Sequence, residues 1–318
     1  MVDALQFVRR ERAEFAAGDS SDSRVAHRPL IEKTSEKHST KSGRGKYCLA
    51  TGAAAAHRLR ILHRIYGPGA RSVLTKAGIQ PGMRVADLGC GVGTVTTMLA
   101  ELVGPEGKAV GIDASRAQIE QARELLPGSF PQASFIEASA IDTGLASESF
   151  DLVYCRFLLL HLTEPELALR EMHRLLKPNG ILVCEDGDLS SAGSEPPSIL
   201  DCFADLFGRL APIKGVDYAL ARRLYHLVLR ANFRRPEISF NQPVFCRGEN
   251  KRLLELSVLE AGPAFVEAGL LTFAELYRVV GEMQRVAEDE TVLAVMPRMS
   301  QVWARKSVKK TGELLRVA

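Results

Sequence analysis

The chain has 318 residues, 46% of them hydrophobic and 25% charged, with a net charge of +3. That length and apolar content support one sizeable core with a small appended layer, and exclude a disordered or polyelectrolyte chain. The positive surplus lies in residues 1–46; the rest balances and shows no run of Lys and Arg, so nucleic acid is not the expected partner.

The six cysteines, Cys48, Cys90, Cys155, Cys184, Cys202 and Cys246, contain no C-x-x-C pair. Neither a disulfide framework nor a metal site is expected, and the expected setting is reducing and cytoplasmic. The N-terminus lacks the long apolar core of a signal peptide, and no uncharged apolar run nears the ~20 residues that span a bilayer.

In chain order, Ala4 to Ala17 reads as a short charged helix. The run from Gly18 to Lys46 is polar and Ser/Lys-rich, so residues 1–46 are expected to be a flexible extension, with a lid over the site as the alternative. Helical spacing begins near Thr51 with Ala54, Leu59, Leu62 and Ile65. Gly67-Pro68-Gly69 is expected to stop that helix, and a second one to run to Ala77 and close at Gly78.

Strands and helices then alternate. Strands are expected at Arg84–Leu88, Ala109–Asp113, Ala133–Ala138, Phe150–Tyr154 and Gly180–Cys184. Helices are expected at Thr94–Val103, Arg116–Leu126 and Glu164–Leu176. This alternation implies parallel pairing with helices on both faces. After a loop at 189–198, helices at Ile199–Leu210 and Tyr218–Ala231 interrupt the pattern and are expected to cap the sheet. A strand at Pro236–Phe245, helices at Lys251–Ala268 and Thr272–Glu288, and a last strand at Val292–Arg305 complete the set. The expected fold is therefore an α/β, Rossmann-like, mostly parallel seven-stranded sheet with a helical cap. Its expected division is an extension 1–46, a core 47–188, a cap or substrate region 189–234, the rest of the core sheet 235–306 and a tail 307–318.

The chemistry centres on Val85-Ala86-Asp87-Leu88-Gly89-Cys90-Gly91-Val92-Gly93-Thr94, where an apolar strand runs through a glycine-rich turn into a helix. Such a turn brings backbone close to a ligand, and the helix start offers free N–H groups. The dinucleotide fingerprint is G-x-G-x-x-G, but here the pattern is G-x-G-x-G with Thr94 in the third glycine's place. Asp87 would repel a pyrophosphate and attract the ammonium of an amino-acid moiety. Asp113, at the end of the next strand, can accept two ribose hydroxyls, or serve only as a helix cap.

With those residues in view, the stretch from about Tyr47 to Asp186 resembles the class I S-adenosylmethionine-dependent methyltransferases, with a weaker echo at Val292–Lys306. VADLGCGVGT is similar to the family's first motif and VGIDAS to its ribose-binding strand end. SFDLVYCRFLLLHL and LLKPNGILVCED resemble its fourth and fifth strands. The style is closest to the small-molecule branch that includes ubiquinone and menaquinone methyltransferases. The resemblance implies S-adenosylmethionine as cofactor and a small, hydrophobic or aromatic acceptor methylated on oxygen or carbon. It places Gly89, Cys90 and Gly91 against the methionine part, with Asp87 on its ammonium. Asp113 would hold the ribose and Ala114 would lie beside the adenine. Cys155 would face the methionine moiety, with Arg156 close by or paired to a carboxylate. Ser139, followed by Ala140, stands where the family often has an acid for the adenine amino group.

His161 is the candidate general base, with a structural histidine as the alternative reading. Glu185, Asp186 and Asp188, just past the expected fifth strand, are expected to contact the acceptor or a metal, or only to be solvated. Phe203, Leu206, Phe207, Tyr218 and Leu224 of the cap would make an apolar acceptor pocket, and Tyr47 would close the cofactor site. A homodimer is compatible with the sequence. The rival functions are a methyltransferase-like binding protein without turnover and a nicotinamide-dependent oxidoreductase. A base-modifying methyltransferase is disfavoured because Tyr154-Cys155-Arg156 stands where an Asn or Asp followed by Pro-Pro is expected.

Overall fold

The computed structural model describes residues 53–126, 128 and 130–307. The expected N-terminal helix, the extension to residue 46, Tyr47 and the tail beyond residue 307 lie outside the described residues.

A long helix, α1 (Ala53–Ala77), leads into strand β1 (Arg84–Leu88) and helix α2 (Thr94–Val103). Then come β2 (Lys108–Asp113), α3 (Arg116–Leu125), β3 (Ala133–Glu137), β4 (Phe150–Arg156), α4 (Pro165–Leu175) and β5 (Leu176–Asp188). These eight elements after α1 follow the alternation read from sequence, with ends within one or two residues except in β5, which runs four residues longer at each end. The main sheet has the order β3-β2-β1-β4-β5-β10-β7, where β7 is Phe233–Asn241 and β10 is Arg298–Lys306. Neighbours from β3 to β5 are parallel, and β10 runs antiparallel to both β5 and β7. The order reverses between β1 and β4, which opens a crevice beyond the strand ends.

Two expectations about this framework need correction. Helix α1 does not stop at Gly67-Pro68-Gly69 but runs through Pro68 to Ala77, and Gly78 (φ 97°) closes it. Ile61, Tyr66, Ala70 and Leu74, all fully buried, hold it to the body on both sides of the proline. A Cβ on Gly69 would lie 2.6 Å from Asn241 Nδ2, so the glycine is there to let the helix approach the sheet. Tertiary packing thus outweighs the local breaker signal.

The last strand is also not continuous. It breaks at Met296-Pro297 into β9 (Leu293–Val295) and β10. β9 leaves the main sheet and pairs with β6 (Gly193–Glu195) and β8 (Val244–Phe245) in a small antiparallel sheet. The expected strand Pro236–Phe245 divides likewise, into β7 and β8. Pro236 is tolerated because β7 is an edge strand.

The remaining helices are α5 (Cys202–Lys214), α6 (Leu224–Arg230), α7 (Leu253–Glu267) and α8 (Phe273–Glu288). Thr272 and Glu275 cap α8 reciprocally, each side chain meeting the other's backbone N–H. One sheet face packs on α2 and the second half of α1 through Val73, Leu74, Leu99 and Val103. The other, larger cluster joins α4–α8 to Leu88, Ile112, Val153 and Leu182.

Candidate functional site

A cleft of about 720 Å³ opens at the carboxyl ends of β1, β2 and β4. This is the size of a small-molecule site. Its walls differ sharply along its length.

At one end the glycine turn forms the wall. Gly89, Gly91 and Gly93 have φ of 72°, 53° and 81°, a region that L side chains enter only with strain. A Cβ on Gly89 would lie 2.9 Å from Leu158 Cδ1, and one on Gly93 would lie 2.5 Å from Phe135 Cζ. The turn is tied down by Asp113, whose carboxylate accepts the N–H of Gly91 and of Ser115, both at 2.9 Å. Asp87 accepts a 2.7 Å hydrogen bond from the Thr96 hydroxyl. Burial raises the Asp87 carboxyl to about 7, partly offset by the Thr96 bond and Arg156. Burial raises Asp113 as well, against the pull of its backbone N–H partners.

Two buried polar atoms in this wall, Arg156 Nη1 and Gln118 Oε1, have no hydrogen-bond partner among the described residues. Such atoms cost free energy unless a ligand or water meets them. The other arm of Arg156 points its Nη2 at His63 Nδ1, 3.4 Å away. Burial and the Arg156 charge hold His63 neutral, lowered to about 4.

The rest of the cleft wall is largely apolar, and its Leu59 and Leu158 abut the turn, their Cδ1 atoms lying 3.6 and 2.9 Å from where a Cβ on Gly91 and on Gly89 would be. Leu59, Leu62 and Tyr66 come from α1, and Phe157, Leu158 and Leu160 from the segment after β4. Phe203 and Phe207 of α5 and Leu253 and Leu254 of α7 close it. The polar groups on this side are few: Tyr66, which donates to the Pro297 carbonyl at 2.8 Å, Arg58, Ser257 and His161. Arg58 forms a 2.7 Å ion pair with Glu260. His161 meets the Tyr218 ring edge-on at 5.7 Å between centroids. Burial and the nearby Arg58 charge lower it to about 3, so it is neutral at neutral pH.

The structure therefore brings ten of the eleven sequence-derived candidates to one cleft: Asp87, Gly89, Cys90, Gly91, Asp113, Ala114, Ser139, Ala140, Arg156 and His161. Cys155 is the exception. On β4, paired with Cys184 of β5, its thiol is completely buried in the core on that sheet face and does not line the cleft.

The acidic run expected beyond the fifth strand lies inside it, at the end of β5, and departs from expectation in its surroundings too. Glu185, Asp186 and Asp188 are fully buried, neither solvated nor in the cleft wall. Glu185 accepts from Tyr154 and from Gln301 Nε2. Asp186 accepts the backbone N–H of Leu159 and Leu160, at 2.9 and 3.2 Å, and so anchors the short 3₁₀ turn Leu159–His161. Asp188 is paired with Arg222 and Arg298. Of the cap residues, Phe203 and Phe207 line the cleft, whereas Leu206, Tyr218 and Leu224 pack behind it. Sequence reasoning did not assign Tyr66, Gln118 or the α7 residues to the site. Leu59, Leu62 and Tyr66 did carry a signal, an apolar i, i+3, i+7 stripe.

A sheet with one antiparallel strand next to its edge, and a glycine turn and two strand-end carboxylates at its switch point, define a nucleoside-binding α/β transferase fold. The Methyltransferase domain family model matches residues 79–205. The demethylmenaquinone methyltransferase of Staphylococcus aureus (strain JH9) is 30% identical over 166 residues, which are 52% of this chain and 67% of the relative. The solved structure of a Bacillus halodurans C-125 protein assigned to the methyltransferases superposes with a TM-score of 0.52 at 19% identity. That match covers 75% of this chain and 98% of the other. The YcgJ protein of Bacillus subtilis matches at a TM-score of 0.50 and 17% identity, over 77% of this chain and 99% of that one. The chain belongs to the class I S-adenosylmethionine-dependent methyltransferases, and its cofactor is S-adenosylmethionine.

The residues present suit that cofactor. A carboxylate and an unpartnered guanidinium arm sit at one cleft end, a complementary pair for an amino acid's ammonium and carboxylate. Among the described residues no helix is long and apolar enough to cross a membrane.

Proposed function

We propose that this methyltransferase acts on a small lipophilic acceptor, at a hydroxyl oxygen or an activated ring carbon. One observation carries the reading: the polar glycine turn and an apolar wall bearing Tyr66, Phe157, Phe203 and Phe207 line a single cleft. S-adenosylmethionine supplies a methyl group on a sulfonium with a good leaving group. Orientation and exclusion of water can then provide much of the acceleration.

In this reading Asp87 holds the cofactor's ammonium and Arg156 its carboxylate. Asp113 receives the ribose, and Gly89, Cys90 and Gly91 allow close approach. Ala114, Ser139 and Ala140 border the adenine. The apolar chamber strips water from the acceptor, and its few polar groups fix the reacting end. His161 accepts a hydrogen bond from an acceptor hydroxyl and takes its proton as the oxygen gains carbon. A neutral imidazole is the form that work requires.

Demethylmenaquinone, the compound in the Staphylococcus aureus relative's name, is the first acceptor to test. The protein is incubated with a methyl-labelled donor and, in parallel, demethylmenaquinone, a lipid extract and an aqueous metabolite extract. The expected outcome is label in an organic-phase product identified by mass spectrometry. Label only in water-soluble products, or none while adenosylhomocysteine still binds, contradicts the proposal.

A further inference from the structure

The body of the chain is electrically balanced and showed no basic run in sequence, yet the fold concentrates cations at one place. A second concavity, of about 430 Å³, lies at the opposite end of the sheet from the cleft. Lys76, Arg234, Arg235, Arg305 and Lys306 line it, against a single carboxylate, Glu237. These residues come from the end of α1, the start of β7 and the end of β10. The expectation of no basic face in the body is thereby corrected: the face exists and is assembled from residues far apart in sequence.

Lys306 is committed to structure, donating to the Leu176 carbonyl at 2.6 Å and pairing with Glu148 at 3.2 Å. Arg305 donates one arm to the Asn179 carbonyl at 3.1 Å. Lys76, Arg234 and Arg235 make no ion pair or side-chain hydrogen bond among the described residues, and all three are exposed. The fold gathers these cations in one concavity with no ion pair to Lys76, Arg234 or Arg235 among the described residues, which costs free energy unless an anion is present.

The backbone here is shaped as well as charged. Arg235 has φ 44°, a left-handed conformation that is unfavourable for a long side chain. The β7–β10 register shifts between Trp303 and Arg305, an irregularity that re-aims side chains. Trp303, half-buried, contributes its indole to the wall.

We infer that this concavity is a second ligand site, for a nucleoside phosphate whose base meets Trp303 and whose phosphates meet Lys76, Arg234 and Arg235. A bare phosphate would not need the indole. An anionic membrane would need a broad face on the same side as the cleft mouth, not a hollow at the far end. Strand β5 separates the two sites: Ile181 lines the hollow and Glu185 lies behind the cleft, roughly 13 Å further along an extended strand. Aromatic stacking with cationic side chains over phosphate is a general way to hold nucleotides. The inference does not depend on the acceptor proposed above.

Trp303 is the only tryptophan in the chain, so its fluorescence reports on this site alone. The full-length protein is first saturated with adenosylhomocysteine, which fills the cleft, and then titrated with ADP. The expected result is a saturable change in Trp303 emission. Adenosine alone and inorganic phosphate alone should bind at least about tenfold more weakly than ADP, as should ADP to the Arg234→Glu/Arg235→Glu double variant. That variant should bind adenosylhomocysteine as the wild type does; should it fail to fold, Lys76→Glu on the surface of α1 carries the same test. A single-stranded oligonucleotide that binds more tightly than ADP assigns the phosphate to nucleic acid, and one that binds no better assigns it to free nucleotides. The site is overturned by any of four results: no response to millimolar ADP or oligonucleotide, a response abolished by adenosylhomocysteine, a response the charge reversals leave intact, or a response to an acidic peptide alone.

Discussion

The two ends of the cleft are built by opposite means. The turn end is local: Asp87 to Thr96 lies in one stretch, joined to Asp113 by a 2.9 Å bond from the Gly91 N–H. It is polar, and its glycines hold conformations other residues enter only with strain. The chamber end is assembled from α1, the segment after β4, α5 and α7, which are up to about two hundred positions apart in sequence. Its chemistry is nearly uniform, leucine and phenylalanine. In the proposed reading, backbone geometry specifies the cofactor site and shape the acceptor site. Damage to one should fall mainly on its own function, except at Leu158, which meets Gly89.

The largest expected effect breaks the turn. Gly89→Val adds a branched side chain at φ 72° and drives it into Leu158. The strained conformation alone costs on the order of 1–3 kcal/mol. Adenosylhomocysteine affinity should fall at least about a hundredfold, measured by calorimetry, and Leu158→Ala should restore part of it by removing the clash.

Next is the charge at that end. Asp87→Asn should weaken adenosylhomocysteine binding about tenfold, since a charge-assisted bond becomes a neutral one. The wild-type affinity should also depend on pH. The Asp87 carboxyl is raised to about 7, and the ionised form is the one that attracts an ammonium. Affinity should therefore rise from pH 6 to 8 and then level off, and the Asn variant should be flat. Stability of the free protein moves the other way. A carboxyl raised in the folded state stabilises below its unfolded value near 4, and that contribution is lost as pH rises through about 7.

In the apolar wall, Leu62→Trp fills cleft space. Acceptor KM should rise about tenfold or more while adenosylhomocysteine affinity changes less than about twofold. His161→Gln should lower kcat about a hundredfold for a hydroxyl acceptor and leave cofactor affinity unchanged. An unchanged kcat would return His161 to the structural role its contact with Tyr218 suggests. The smallest effect is expected for Asp186→Asn. The amide oxygen can still accept the Leu159 and Leu160 N–H groups, so the rate should drop only a few-fold. The stability change across pH 4 to 7 due to Asp186, also raised to about 7 by burial, should disappear.

The same contrast explains what could be read before the structure. The turn was legible because Asp87, Gly89, Gly91 and Asp113 act at fixed spacing along the chain. Strand ends from β1 to β3 were legible because buried parallel strands read as apolar runs. The path of α1 through Pro68 was not, since its cause is the approach of Asn241 to Gly69, a contact across some 170 residues. Nor was the break at Met296-Pro297, where β9 finds partners in a second sheet. The acids at the end of β5 looked like surface or site groups because partners such as Gln301, Arg222 and Arg298 arrive from far along the chain.

The most direct test of the divided cleft is calorimetric titration of adenosylhomocysteine into Asp87→Asn and Leu62→Trp side by side. Loss of about tenfold in the first, with less than about twofold in the second, is the expected pair. Equal losses, or a greater loss for Leu62→Trp, would mean that the cofactor occupies the apolar end and that the assignment of the two halves is wrong.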